Sequence, residues 1–357
     1  MNSAQDSLTP WFDRLIVWLF VVLLVLPVGR QVILVWTRGQ PAFLYATDID
    51  DFARISATEL WQSDAYKNAN VVVHEGWYFF NAEGDMQSFQ GLAPLDESTL
   101  LTWKTAVEDR QRWLSKHGCV YLPLIVPEKQ TVHSERLPPD ILKARGVSRM
   151  DQWMALWSVN EKFILDLRHD MKSVGGQPLY HRDDTHWNHD GAYQAYAAVL
   201  HRLSTDNPSW RPLPRTEFEI RSATAVGDLL RMAGANLVAI PRRLLVRHGG
   251  WHAESEEFQW PTNMTPKTYS ADWQQPQLYS CRGQEGVLLL IGDSFTSDKS
   301  HFFVTAMAEQ FERTIVLNNN VGFGPTLHEI QVLVESNAVD VVLECRAERH
   351  LTVPFTP

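Results

Sequence analysis

The stretch GVLLLIGDSFT, residues 286–296, decides how this chain is read. Val287 to Ile291 is an unbroken apolar run of strand length, which predicts a strand covered on both faces. Gly292 then permits a tight turn, and Asp293, Ser294 and Phe295 lead toward a helix. In open α/β sheets, ligands bind outside the carboxyl ends of strands. Ser294 stands at such an end, with the backbone N–H groups after the turn available to hold an oxyanion. A serine hydroxyl is a weak nucleophile at neutral pH and needs a base. Read alone, Gly-Asp-Ser points sooner to a plain helix cap by Asp293 or Ser294 than to a nucleophile.

Outward from this stretch, strand and helix patterns alternate. CVYLPLIVP (119–127) is another continuous apolar run. NVVVHEGWYFFN (70–81) predicts two short strands about a turn at Glu75-Gly76. Residues 98–116 predict a helix capped by Ser98, with Leu101, Trp103, Val107, Arg110 and Leu114 at helical spacing and Gly118 as its stop. Helices are also predicted over 151–171, 187–203, 299–312 and 328–337, and strands over 314–319 and 339–345. This order implies an α/β fold, a parallel sheet with helices on both faces. Residues 205–280 are less regular, rich in Trp, Pro, Arg and Gln, and read as an insertion or lid.

The chain has 357 residues, with 32 Lys+Arg against 42 Asp+Glu and a net charge of −10. Such a balance argues against nucleic-acid binding, which depends on Lys/Arg at phosphates. Cys119, Cys281 and Cys345 are too scattered for a disulfide framework or a zinc site. The amino-terminal segment is different in kind. Leu15 to Val28 reads LIVWLFVVLLVLPV, and after Gly29, Arg30 and Gln31 the apolar run resumes to Trp36. As a helix, Leu15 to Trp36 spans roughly 33 Å, close to the about 30 Å of a bilayer core. Trp11, Trp18 and Trp36 suit its interfaces, and Arg30 can snorkel. Residues 1–36 are therefore expected to be a membrane anchor, 37–69 a linker and 70–357 the catalytic domain. A cleaved signal peptide is the competing reading, weakened by Asp6 and Asp13 and by the lack of an A-x-A site. Arg30 and Arg38 after the run would place the carboxyl side in the cytoplasm, but the bias rests on very few residues.

A base is supplied by HRDDTHWNHDGAY (181–193), which holds His181, Asp183, Asp184, His186, His189 and Asp190. It lacks a His-x-x-x-His pair with an acidic partner, so no metal is assigned. In a non-helical turn, Asp184 can reach Nδ1 of His186, fix its tautomer and leave Nε2 for a serine proton. Asp183 is the fallback orienter, and a plain surface histidine is the alternative.

Together these motifs carry a resemblance. GDSF after a strand resembles the nucleophile block of SGNH-type hydrolases, and DTHWNHDGAY resembles the acid–histidine block of the alginate O-acetyltransferase family within that superfamily. EGWYFF (75–80), PLIVPEKQTVHSERLP (123–138), VGDLLRMAG (226–234) and VVLECRAERHL (341–351) are similar to further stretches of that family, in its order along the chain. The resemblance implies an SGNH-like fold in which the acid–histidine block precedes the serine block. It implies Ser294 as nucleophile, His186 as base and Asp184 as orienter. The spacing of acid and histidine, with only Thr185 between, fits this branch better than general SGNH hydrolases. Gly292, Asn318, Asn319 and Arg346 are candidates for oxyanion or substrate contacts, with Arg349 beside them.

The implied activity is O-acetylation of an exported bacterial polysaccharide, alginate or cellulose among others, by an inner-membrane protein facing the periplasm. The implied partners are the glycan, a membrane-bound acyltransferase as acetyl donor, and other proteins of the export complex. No cofactor is implied, and no glycine-rich loop suggests a coenzyme A site. A carbohydrate acetylesterase with the same residues and a non-catalytic glycan-binding scaffold remain as alternatives. Trp210, Trp251, Trp260 and Trp273 suit either sugar stacking or ordinary packing.

Overall fold

The structure, a computed structural model, describes residues 70–158, 161, 163–171, 176–235, 237–262, 264, 276–296, 301–318 and 324–356. The expected anchor (1–36) and linker (37–69), and the candidates Asn319 and Trp273, lie outside the described residues. Among the described residues, no helix is long and apolar enough to cross a membrane.

In chain order, the strands are β1 (Val71–His74), β2 (Trp77–Phe80), β3 (Val120–Val126), β4 (Phe218–Ala225), β5 (Ile240–Arg247), β6 (Glu254–Glu257), β7 (Gln277–Ser280), β8 (Val287–Gly292), β9 (Arg313–Asn318) and β10 (Val341–Ala347). The helices are α1 (Asp85–Phe89), α2 (Glu97–Lys116), α3 (Lys129–Val132), α4 (Pro139–Lys143), α5 (Arg149–Met154), α6 (His189–Leu203), α7 (Asp228–Met232), α8 (His301–Ala308) and α9 (Leu327–Asn337). The main sheet runs β3-β10-β8-β9-β7-β6, and β1-β2 and β4-β5 are separate antiparallel ribbons.

The alternation along β8 explains its continuous apolar sequence. Leu288 and Leu290 face one core with Leu122, Leu124 and Leu343, covered by Ala195 and Val199 of α6 and Phe302 and Phe303 of α8. Leu289 and Ile291 face the other, with Tyr121, Ile125 and Val342, covered by Trp103 and Val107 of α2 and Ile330 and Leu333 of α9. Both faces of the strand are buried, so both sets of alternating residues must be apolar.

Three expectations change. The sheet is mixed: β3, β10, β8 and β9 are parallel, whereas β7 and β6 add antiparallel on the β9 edge. The connection 281–286 between β7 and β8 is too short for the crossover that parallel strands need. The helix expected over 151–171 ends at Met154. Leu165 instead bridges to Leu124 of β3, and the Asp166 carboxylate accepts the Arg168 N–H at 3.0 Å and grips its guanidinium, closing a single 3-10 turn. The cap of α2 is Asp96, whose carboxylate accepts the Thr99 N–H at 2.7 Å; Ser98 lies inside the first turn and donates to Asp96. On that helix Leu101 is exposed, while Arg110 is fully buried and paired with Glu344 at 3.0 Å, which also accepts from Tyr121. A buried charge is tolerated there because its partner is buried with it.

Candidate active site

Ser294 begins a 3-10 turn, Ser294–Thr296, at the carboxyl end of β8. The turn is tight because position 292 has no side chain: a Cβ there would lie 2.2 Å from Thr296 Oγ1 and 3.1 Å from Cys345 Cβ. The buried Asp293 carboxylate then ties the turn down. One oxygen accepts the Phe295 N–H at 3.0 Å, and the other accepts the Ala347 N–H of β10 at 2.7 Å and lies 3.5 Å from His350 Nδ1. Burial opposes ionisation of Asp293, but His350 and these N–H groups outweigh it and hold the carboxyl below its ordinary range. Asp293 thus fixes the height of Ser294 above the sheet.

The second half of the site is a narrow loop closed by a Tyr180–Trp187 bridge. At its base the Asn188 N–H donates to Leu179 O at 2.9 Å, and the Asn188 side chain caps α6 through the Gly191 N–H. The loop presents His186 to Ser294. Nε2 lies 2.9 Å from Ser294 Oγ, and Nδ1 lies 2.7 Å from Asp184 Oδ1, which also accepts the His186 N–H at 3.0 Å. The imidazole is buried against the Phe295 ring, 4.9 Å between centroids. Burial pushes the Asp184 carboxyl up, but its bonds to His186 prevail and hold it well below the usual carboxylate range. Asp184 is therefore a carboxylate at neutral pH, able to accept Nδ1–H and leave Nε2 as the base.

Asp183 does something else. It is fully buried, forms a two-point pair with Arg242 of β5, and accepts the Gly227 N–H at 2.8 Å. A Cβ on Gly227 would lie 1.9 Å from Asp183 O, so glycine lets the start of α7 approach this loop. That approach delivers a residue to which the sequence reading gave no chemistry. Asp228 accepts the Thr185 N–H at 2.7 Å and the Thr185 hydroxyl at 2.6 Å, and Oδ2 lies 3.7 Å from His186 Nδ1. The only sequence signal was the Gly-Asp-Leu pattern of 226–234, which carries no spacing to His186. Lys129 was missed likewise. It is buried, donates from Nζ to Tyr78 O at 2.7 Å and Arg182 O at 3.2 Å, and is pushed down to about 7 by burial, against the pull of Asp184, Asp228 and Asp183.

The remaining candidates separate. Asn318 ends β9 directly opposite Gly292 in the register; it is buried, and its Oδ1 has no hydrogen-bond partner among the described residues. Arg346 is buried on the other side, with its guanidinium over Trp103 and Phe355 and donating to Val353 O. Arg349 is paired with Glu128 at 2.6 Å and stands over Phe80 and Phe295. Trp210 and Trp251 pack on Phe311 and Phe302, and Trp260 packs on Phe258. Asp184, His186 and Asp228 could offer three ligand atoms within 4.8 Å of one another, but each already holds hydrogen bonds within the loop and α7.

Behind Phe295, the Arg349–Glu128 pair adjoins two further buried carboxyls, Asp85 and Glu348. Burial, with Glu128 next, pushes Asp85 up to about 8; burial pushes Glu348 up to about 7, against the hydrogen bonds it accepts from the Glu128 N–H and Thr131. A carboxyl with a raised folded pKa holds its proton longer than the unfolded chain does. Its effect on stability is therefore neutral at low pH and unfavourable as pH rises from the ordinary carboxylate value through 7 to 8. Asp85→Asn is expected to melt close to the native protein near pH 4 and several degrees above it at pH 8.5, measured by thermal unfolding. A constant difference across that range would refute the assignment.

A parallel-centred sheet with a serine at one strand end and a histidine–aspartate pair delivered by a separate loop defines the class of SGNH-like acyl-handling α/β proteins. The profile of the family described as "SGNH hydrolase-like domain, acetyltransferase AlgX" matches residues 71–341, and the chain belongs to that family. Among solved structures, PatB1 of Bacillus cereus is similar at 14% identity and TM-score 0.54, over 79% of this chain and 96% of that one. A DHHW family protein of Eubacterium siraeum is similar at 12% identity and TM-score 0.54, over 79% and 94%. The O-acetyltransferase domain of Pseudomonas putida AlgJ shares 21% identity at TM-score 0.47, over 79% and 92%. No curated protein matches the sequence.

Proposed function

We propose that this protein transfers acetyl groups to hydroxyls of an exported polysaccharide through a Ser294 acyl-enzyme. The observation that carries the reading is the continuous chain of short contacts from Asp184 through His186 to Ser294 Oγ. His186 Nε2 takes the Ser294 proton as Oγ attacks the donor's acetyl carbonyl, and returns it to the departing oxygen. A sugar hydroxyl then gives its proton to Nε2 and attacks the acetyl carbonyl. The ester passes to the sugar oxygen, and Ser294 recovers its proton. Asn318 and the Ser294 backbone N–H are the proposed donors to the oxyanion; the Phe295 and Thr296 N–H groups that the sequence offered are bound to Asp293 instead. The proposed setting is the outer face of an inner membrane, with residues 1–36 as anchor and a membrane-bound acyltransferase as donor.

The test is an acetyl-ester assay with and without oligosaccharide. Purified protein and p-nitrophenyl acetate are expected to yield acetylated sugar when an oligomannuronate or a cello-oligosaccharide is present. Release of acetate alone, unaffected by either acceptor, would mean an esterase; no release at all would mean a scaffold. The two acceptors also separate an anionic from a neutral glycan.

A further inference from the structure

We infer that Asp228 is a second acidic positioning residue for His186, acting through Thr185; the inference rests on the acyl-transfer reading above. Two carboxylates face one edge of the imidazole. Asp184 Oδ1 is 2.7 Å from Nδ1 and Asp228 Oδ2 is 3.7 Å from it. Thr185 stands between them. Its hydroxyl donates to Asp228 Oδ2 at 2.6 Å, and its oxygen is 3.1 Å from Nδ1. With its hydrogen committed to Asp228, the Thr185 oxygen has only lone pairs to turn toward the imidazole. Nδ1–H then has two acceptors, the Asp184 carboxylate and a hydroxyl polarised by Asp228.

Asp228 also fixes Asp184 itself. Its backbone N–H donates to Asp184 Oδ2 at 3.2 Å, while its carboxylate takes the Thr185 N–H at 2.7 Å. Asp184 is thereby fixed by both its oxygens, one on the His186 N–H and one on α7. The other titratable and charged groups around the loop are the buried Lys129, the Asp183–Arg242 pair, and His181, which burial pushes down to about 3 and so keeps neutral. Asp183 is neutralised by Arg242, so Asp184 and Asp228 are the carboxylates left facing the imidazole as it gains a proton. The arrangement gives the imidazolium two negative partners, of which only one was readable as a neighbour in sequence.

The test is the pH dependence of Ser294 acylation by p-nitrophenyl acetate in the full chain. Asp228→Asn keeps the side-chain shape and removes its charge. Acylation is expected to fall about tenfold, and the acid limb of kcat/KM to move about one unit toward lower pH, because a base with less negative surroundings gives up its proton sooner. Asp184→Asn is expected to retain acylation that the Asp184→Asn/Asp228→Asn double variant loses, a non-additivity that measures their shared partner. Where Asp228→Asn does not fold, Thr185→Val carries the test, with the limb shifting the same way. A fall in rate with the acid limb unmoved, or singles that add in the double, would make Asp228 merely structural and overturn the inference. Ser294→Ala runs beside them: acylation that survives it overturns the acyl-enzyme reading instead.

Discussion

Ser294→Ala is expected to lower acetyl transfer by about 10⁴ or more while leaving the fold intact. The substitution removes one hydroxyl at a half-buried position, and with it the hydrogen bond to His186. A loss of that kind costs about 1 kcal/mol of stability at most. Asp293, Gly292 and the tie to Ala347 are untouched, so the turn keeps its shape. Activity and stability therefore move very differently, which separates a nucleophile from a structural serine. Mass spectrometry after a short exposure to an acetyl ester gives the direct readout. The native protein is expected to carry acetyl on the peptide containing Ser294, and neither Ser294→Ala nor His186→Ala is expected to do so. Acetylation of the alanine variant at the native rate would exclude Ser294.

The second large effect is on stability and falls one residue before Asp184. Asp183→Ala strands the buried Arg242 guanidinium and leaves the Gly227 N–H without its acceptor. Breaking a buried pair from one side costs about 3–5 kcal/mol. For a domain of this size that lowers the melting temperature by roughly 10 °C. Asp183→Leu with Arg242→Met is expected to recover much of the loss, because the uncompensated charge is gone. Asp184→Ala, by contrast, is expected to melt near the native temperature and to lose most, though not all, of its activity, since Asp228 still faces the imidazole. Thermal unfolding of the three variants checks this, and an Asp183→Ala variant that melts within about a degree of the native protein would show that the pair contributes nothing.

These two adjacent aspartates show where sequence reading stops. Both lie within reach of His186 along the chain, and local spacing ranks them only weakly. The ranking comes from Arg242 and Gly227, which are distant in sequence and are brought in by β5 and α7. The strands were legible because burial on both faces leaves an uninterrupted apolar run, and Ser294 was legible because Gly292 and Asp293 mark a strand end. The antiparallel edge was hidden, since Glu254–Glu257 and Gln277–Ser280 carry no apolar run. The false helix over 151–171 has apolar residues at helical spacing, but Asp166 and the Leu165 bridge hold that segment in a different path. Arg346 looked like a substrate cation because charge attracts notice; its aromatic partners Trp103 and Phe355 were not visible as partners.

The position of β10 bears on how the site holds together. This strand lies between β3 and β8, and its Ala347 N–H holds Asp293. Strand β3 joins the sheet through β10, and the serine turn after β8 is tied to the same strand. Loosening β10 would therefore part β3 from β8 and release the turn in one event, so the geometry around Ser294 and the integrity of the sheet are a single cooperative property.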